Sequence, residues 1–166
     1  KVALPTPAET SMPDTLLELD RQLCFALYRA SRAITRAYGP LLEPLGITYP
    51  QYLVFLKLWE RDGITVNELG GCLALDSGTL TPLLKRLEQR ELITRRRDKA
   101  DQRVVRIHLT PAGRALRAKA KHVPTDLAAR AGFDLYKAKD LLAIQKLRDE
   151  LPALADRLGD DLDDAG

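Results

Sequence analysis

The run TVNELGGCLALDSGTLTPLLKRLEQRELITRRRDKADQRVVRIHL, residues 65–109, decides how this chain folds. It opens on Thr65-Val66-Asn67-Glu68, a capping-box pattern in which hydroxyl and carboxylate satisfy the orphan amides of a helix start. A short helix over 66–73 follows. Asp76 and Ser77 are both N-cap candidates for a second helix running to about Arg90, with Leu80, Leu83, Leu84 and Leu87 on its inner side. Pro82 falls inside that helix and should remove one backbone hydrogen bond. Residues 92–95 then read as a strand and 96–102 as a charged turn. Residues 103–109 read as a second strand, in which Val104, Val105, Ile107 and Leu109 are interrupted by Arg106 and His108. Helix, turn, helix and a hairpin with a basic tip is the order of a winged helix-turn-helix unit.

Outward from this unit the pattern is helical. On the N-terminal side, residues 1–13 carry three prolines and read as a flexible arm. From Asp14, a good N-cap, apolar residues recur at Leu16, Leu19, Leu23, Leu27, Ala30, Ile34 and Ala37, a long amphipathic helix ended near Tyr38 by Gly39 and Pro40. A short helical piece near 41–45 and a helix over 51–60, stopped by Asp62-Gly63, lead into the central unit. On the C-terminal side, Thr110-Pro111 caps a helix running to about Ala131. A last helix over 139–158 carries Ile144, Leu147, Leu151, Leu154 and Leu158 at alternating spacings of three and four, a stripe that wants a partner helix or a place in the monomer core. The expected organisation is an arm (1–13), an N-terminal helical dimerisation region (14–45), a winged helix-turn-helix domain (46–110), a C-terminal helical dimerisation region (111–158) and an acidic, disordered tail (159–166). The fold class is mainly α with a small β-hairpin wing.

The 166 residues are 45% hydrophobic and 30% charged, enough for one ordinary domain with a core that needs no staples. Two cysteines, Cys24 and Cys72, exclude a disulfide scaffold and a cysteine-built zinc site. His108 and His122 offer no ligand cluster, so neither a metal nor another cofactor is expected. No apolar run has the length of a membrane span and the first residues lack a signal-peptide core, which points to a cytoplasmic protein without a membrane partner.

The formal charge of +3 hides an asymmetry: residues 85–121 carry +9 and residues 149–166 carry −6. Basic charge concentrated in a folded segment is the footprint of phosphate binding, although a solvated basic face has the same composition. The second helix of a helix-turn-helix lies in the major groove, which puts Ser77, Thr79, Thr81 and Lys85 outward toward double-stranded DNA. None of these is a bidentate base reader, so specificity should depend on DNA shape and on the wing. At the wing, Arg95, Arg96, Arg97, Lys99 and Arg103 are candidate backbone or minor-groove contacts. Asp101 could orient Arg103 through a charge-assisted bond.

Asp76 to Glu88, then Glu91-Leu92-Ile93-Thr94-Arg95, Asp101-Gln102-Arg103 and Leu109-Thr110, resemble the MarR family of winged-helix repressors. More narrowly, Leu23-Cys24-Phe25-Ala26-Leu27-Tyr28 and Gly46-Ile47-Thr48-Tyr49-Pro50-Gln51-Tyr52 resemble its organic hydroperoxide resistance (OhrR) branch. The likeness covers about Leu16 to Leu158. It implies a homodimer with interlocking terminal helices on a pseudo-palindromic operator, and a peroxide-reactive Cys24 supported by Tyr28, Tyr38 and Tyr49. Two-cysteine members carry a late resolving cysteine, where this chain reads Thr125-Asp126-Leu127-Ala128-Ala129-Arg130. The resemblance therefore implies a one-cysteine type finished by a low-molecular-weight thiol or by over-oxidation, or an unusual part for Cys72.

The residues alone leave Cys24 open between an inert core filler and a sensor. A sensor needs thiolate; Tyr28 at i+4 and Arg21 at i−3 are placed to support one, while a third-turn position should make the helix dipole unimportant. Cys72 reads as a structural residue of the first helix of the DNA-binding unit. The reading is a non-enzymatic, peroxide-released repressor. Two alternatives stand beside it: a MarR-type repressor released by a small phenolic or aromatic ligand, and a peroxide-reducing enzyme that uses Cys72 as resolver.

Overall fold

The computed structural model describes residues 17–163, with side chains through residue 158. The expected arm over 1–13 and the cap at Asp14 lie outside the described residues. The elements are α1 (Leu23–Leu42), α2 (Tyr49–Glu60), α3 (Val66–Leu73), α4 (Ser77–Gln89), β1 (Ile93–Arg97), β2 (Val105–Leu109), α5 (Pro111–Lys119), α6 (Val123–Arg130) and α7 (Ala138–Asp163). Short 3-10 turns at Leu19–Arg21 and Glu43–Leu45 precede and follow α1. Among the described residues no helix is long and apolar enough to cross a membrane.

The chain divides into two units at Arg36/Ala37, inside α1. In the first, no described residue is buried, and Leu23, Tyr28 and Ile34 are 61%, 55% and 46% exposed. The second holds the core, in which Tyr52, Phe55, Leu58, Leu69, Leu80, Leu84 and Leu87 pack with Ile93 and Ile107 of the hairpin.

The central unit forms as the capping patterns require. The Thr65 hydroxyl accepts from the Glu68 amide at 3.1 Å, and the Glu68 carboxylate accepts from the Thr65 amide at 2.8 Å. The turn between α3 and α4 is made at Ala74, held at φ 49° in the left-handed region. Asp76, rather than Ser77, caps α4 by accepting from the Thr79 amide at 2.7 Å. Pro82 lies inside α4 as expected, tolerated because Leu80, Leu83, Leu84 and Leu87 are all buried and hold the helix in place. At α2 a second capping box, between Thr48 and Gln51, starts the helix at Tyr49.

β1 and β2 pair antiparallel with Ile93 opposite Leu109 and Arg97 opposite Val105. The hairpin is wider than the sequence suggests: its second edge also pairs with the chain before α3. Gly63 donates to the Ile107 carbonyl at 3.0 Å and Ile107 to the Ile64 carbonyl at 2.9 Å. Asp62 adds a side-chain tie, its Oδ1 accepting from the Leu109 amide at 2.8 Å and its Oδ2 from Arg114 at 2.8 Å.

Among the boundaries that differ from the sequence expectation, four in the terminal helical regions have a local reason. An extended Gln22 separates the 3-10 turn from α1, so the helix starts at Leu23. It then passes through Gly39 and Pro40 to Leu42, because proline forfeits one hydrogen bond while buried Leu42 and partly buried Leu41 anchor the last turn in the core. The helix expected to run unbroken to Ala131 is two, α5 and α6, since Pro124 has no N–H to continue the ladder and its ring opposes the carbonyl of Ala120. Finally, α7 continues past Leu158 to Asp163 into the segment expected to be a disordered tail. No described side chain of α7 is buried, and Leu142, Leu147 and Leu158 are 64%, 54% and 63% exposed.

Candidate nucleic-acid interface and cysteine site

The 3.6-residue period of α4 separates two faces. Leu80, Leu83, Leu84 and Leu87 are buried, while Ser77, Thr79, Thr81 and Lys85 are all exposed. Ser77, Thr81 and Lys85 stand one turn apart on one stripe, so two small hydroxyl residues precede a cation. Thr81 shares a groove of about 370 Å³ with Asn67 at the start of α3 and with Arg95, Arg103 and Val105 of the hairpin. Recognition helix, helix start and hairpin therefore face one concavity.

The expected cations of the hairpin fall into two groups. Arg96, Arg97 and Lys99 are exposed and, among the described residues, form no ion pair. Arg103 is 91% exposed at its side chain and is gripped by Asp101, Nε to Oδ1 at 3.1 Å and Nη2 to Oδ2 at 3.2 Å. Those bonds hold the Asp101 carboxyl below the usual carboxylate range. Arg95 departs from the expectation of a tip residue. The strand reaches Arg97, so Arg95 sits mid-strand opposite Ile107 and pairs with Glu88 of α4, Nη2 to Oε2 at 2.7 Å. Its bonds hold Glu88 below its ordinary value, and much of its charge is neutralised there.

Two functional candidates are not evident from sequence. Asp98 lies where the sequence shows only a polar turn, yet its carboxylate accepts from Arg106 and from the amides of Ala100 at 2.8 Å and Asp101 at 3.3 Å. The Arg106 guanidinium, and after it these amides, hold Asp98 at about 2. By alternation alone, Arg106 is simply the outward member of a strand. Acid–base spacing of eight residues across a turn was the available signal, usable only once the strand register is known.

Cys24 is exposed in the first turn of α1, not the third, because the helix begins at Leu23. Neither expected neighbour engages it. Arg21 pairs with Glu18 at 2.9 Å, and the Tyr28 hydroxyl accepts from Arg32 Nη1 at 3.2 Å, the guanidinium lying 5.5 Å from the ring centre. Tyr38 and Tyr49 belong to the other unit. Their rings stack at 4.5 Å between centroids, and Tyr52, which the sequence reading did not single out, lies 5.6 Å from Tyr38. Burial, then the neighbouring Tyr49 and Tyr52, push Tyr38 up to about 12, and burial raises Tyr49 and Tyr52 as well. All three phenols stay protonated at neutral pH and retain a donor hydrogen. Cys72, read as structural, is exposed as well, because its place on α3 lies off the buried Leu69–Gly70 side. Among the described residues no group of three or more His, Cys, Asp or Glu could hold a metal.

A capped helix presenting hydroxyls and a lysine beside a two-stranded basic hairpin defines a winged helix-turn-helix protein. The family model for the transcriptional regulator SarA/Rot matches residues 36–119. The organic hydroperoxide resistance transcriptional regulator of Bacillus subtilis is 50% identical over 129 residues, 76% of this chain and 88% of the relative. Among solved structures, reduced AbfR of Staphylococcus epidermidis bound to DNA has a TM-score of 0.64 and 35% identity, covering 84% of this chain and 96% of that one. Wild-type MarR from E. coli also aligns at a TM-score of 0.64, with 26% identity, 78% of this chain and 96% of that one covered. This chain belongs to the MarR family of winged-helix transcriptional regulators. Its relatives are regulators, not enzymes.

Proposed function

We propose that the reduced homodimer of this chain binds operator DNA and represses, and that an organic hydroperoxide releases it by oxidising Cys24. The observation that carries the DNA half is the shared groove in which Thr81 of α4 meets Arg95 and Arg103 of the hairpin. Ser77, Thr79, Thr81 and Lys85 enter the major groove, while Arg96, Arg97, Lys99 and the Asp101-held Arg103 meet the flanking backbone or minor groove. Arg95 acts by fastening β1 to α4. The exposed leucines of α7 and the uncovered start of α1 support the dimer, since each leucine fully removed from water contributes about 1.5–3 kcal/mol.

The signal half draws on the B. subtilis relative, whose name is that of an organic hydroperoxide resistance regulator. Thiolate sulfur attacks the distal peroxide oxygen, the O–O bond breaks, the sulfur keeps that oxygen with its hydrogen as sulfenic acid, and the departing alkoxide takes a proton from water to leave as an alcohol. Cys24 lies exposed in the first turn of α1, within reach of a peroxide from solvent. The resemblance to the organic hydroperoxide resistance branch implies Tyr28, Tyr38 and Tyr49 as donors for the reduced sulfur, and in this proposal oxidation ends that support and shifts the dimer helices so that the two α4 helices leave adjacent major grooves. A low-molecular-weight thiol then caps the sulfenic acid as a mixed disulfide.

The test is a mobility shift of a duplex that the reduced protein selects from a random-sequence pool, with and without cumene hydroperoxide. Release on oxidation and rebinding after dithiothreitol are expected; an oxidised protein that still holds the duplex overturns the signal half. Arg103→Ala is expected to weaken binding by about 1–3 kcal/mol, with the salt slope unchanged for a groove contact and reduced by about one for a phosphate. Wild-type affinity in that variant would remove the wing from the interface.

A further inference from the structure

We infer that Asp98 is a positioning residue for DNA recognition: with Arg106 it ties the hairpin tip to the turn between α2 and α3, and so sets where Arg103 stands relative to α4. The inference rests on the DNA-binding reading above. Its basis is a continuous series of bonds. Arg106 Nη1 donates to the Gly63 carbonyl at 3.0 Å, and the same guanidinium donates to Asp98. Asp98 accepts from the Asp101 amide, and Asp101 grips Arg103 through both carboxylate oxygens. The Asp98 backbone closes the loop as well, its amide donating to the Val104 carbonyl at 2.8 Å and its carbonyl accepting from Gln102 at 3.1 Å.

The two Asp–Arg pairs of the hairpin therefore do different work. At the tip, Arg103 is 91% exposed and faces outward. Where the strands give way to the loop, Arg106 and Asp98 are 38% and 17% exposed, and the guanidinium is turned toward the protein. Although Arg106 lies in the basic block, its donors are committed to Asp98 and Gly63, leaving it poorly placed to take a phosphate. Strand pairing stops at Arg97 and Val105, and the Asp98 amide adds one backbone bond to the Val104 carbonyl. Between those ends the Asp98 carboxylate takes the amides of Ala100 and Asp101, and the Asp101 carboxylate takes that of Arg103.

The test exploits opposite signs. Asp98→Asn removes a negative charge from a DNA-facing surface, and electrostatics alone would tighten binding to any duplex. Positioning demands instead that discrimination fall. The readout is the affinity ratio between a duplex selected by the wild-type protein from a random pool and poly(dI-dC), at one salt concentration. Asp98→Asn is expected to lower this ratio about ten-fold, while affinity for poly(dI-dC) holds or rises. Arg106→Lys keeps the charge but loses the fork that reaches Asp98 and Gly63 together, and should give the same drop. Asp98→Glu should restore part of the ratio. In the free protein, hydrogen exchange of the 98–104 amides should quicken in both Asp98→Asn and Arg106→Lys while the α4 amides keep their protection. Wild-type ratios in both variants, or unchanged exchange in the loop, overturn the inference. A wild-type chain that retains no duplex from the pool overturns the functional reading and this inference with it.

Discussion

Cys24→Ser is expected to stay on its duplex at hydroperoxide concentrations that fully release the wild-type chain. Serine keeps the size and the hydrogen-bonding capacity of the thiol, but an alcohol is not ionised near neutral pH and has no sulfur lone pair to break a peroxide O–O bond. The substitution thus removes the chemistry with little change in packing, since Cys24 is exposed. Exposure does not single out this sulfur, because Cys72 is exposed too. Sequence context does: the stretch that resembles the organic hydroperoxide resistance branch, Leu23 to Tyr28, runs through Cys24 at the start of α1, whereas Cys72 lies in α3 of the winged helix-turn-helix unit common to the wider family. Cys72→Ser should therefore release as wild type does. Mass spectrometry after graded cumene hydroperoxide checks the same order, with Cys24 modified first. Release by Cys24→Ser together with retention by Cys72→Ser would transfer the sensor to α3.

Gly113→Ala is expected to lower stability by about 3 kcal/mol, and the Tm by roughly 10 °C for a domain of this size. Gly113 lies inside α5, where Gly→Ala ordinarily stabilises by up to about 1 kcal/mol. Here the new methyl would stand 2.1 Å from the Leu92 carbonyl oxygen and 3.2 Å from Leu109 Cδ2. That carbonyl cannot yield freely, since it accepts from the Thr110 amide at 3.2 Å and from its hydroxyl at 3.1 Å. Nor can α5 retreat without cost, because Trp59 Nε1 donates to the Gly113 carbonyl at 3.0 Å. Steric overlap wins over propensity. Gly71→Ala is the control of opposite sign: it too is inside a helix, but nothing lies within 4 Å of the added methyl, so it should stabilise slightly. Calorimetry of the pair decides the matter, and a Gly113→Ala protein as stable as Gly71→Ala would contradict this packing.

These outcomes follow from different ranges of interaction, and so did the legibility of the fold. Thr65 with Glu68, Asp76 and Thr110 each bind amides within three residues, and their helices start where the sequence says they should. The interior leucines of α4 were legible for the same reason, a period set by one helix. Asp101 with Arg103 is a contact two residues long, and it too could be read directly. The failures involve partners beyond one helical turn, brought together only by the chain reversal after α4, by the hairpin, or by the approach of the chain before α3. Arg95 looked like a free cation until strand register brought it to Glu88, and Asp98 looked like turn polarity until Arg106 and Gly63 closed on it.

By itself, then, the sequence determined the helix-turn-helix, the hairpin that follows it, the outward face of α4 and the pairing of Asp101 with Arg103, because all of these depend on neighbours one turn or one strand away. Only the tertiary structure decided which arginines of the basic block remain available, where α1 begins relative to Cys24, that Tyr52 joins Tyr38 and Tyr49, and that Cys72 is exposed. Those are properties of register, burial and long-range hydrogen bonding, and a linear pattern does not encode which distant donor meets which acceptor.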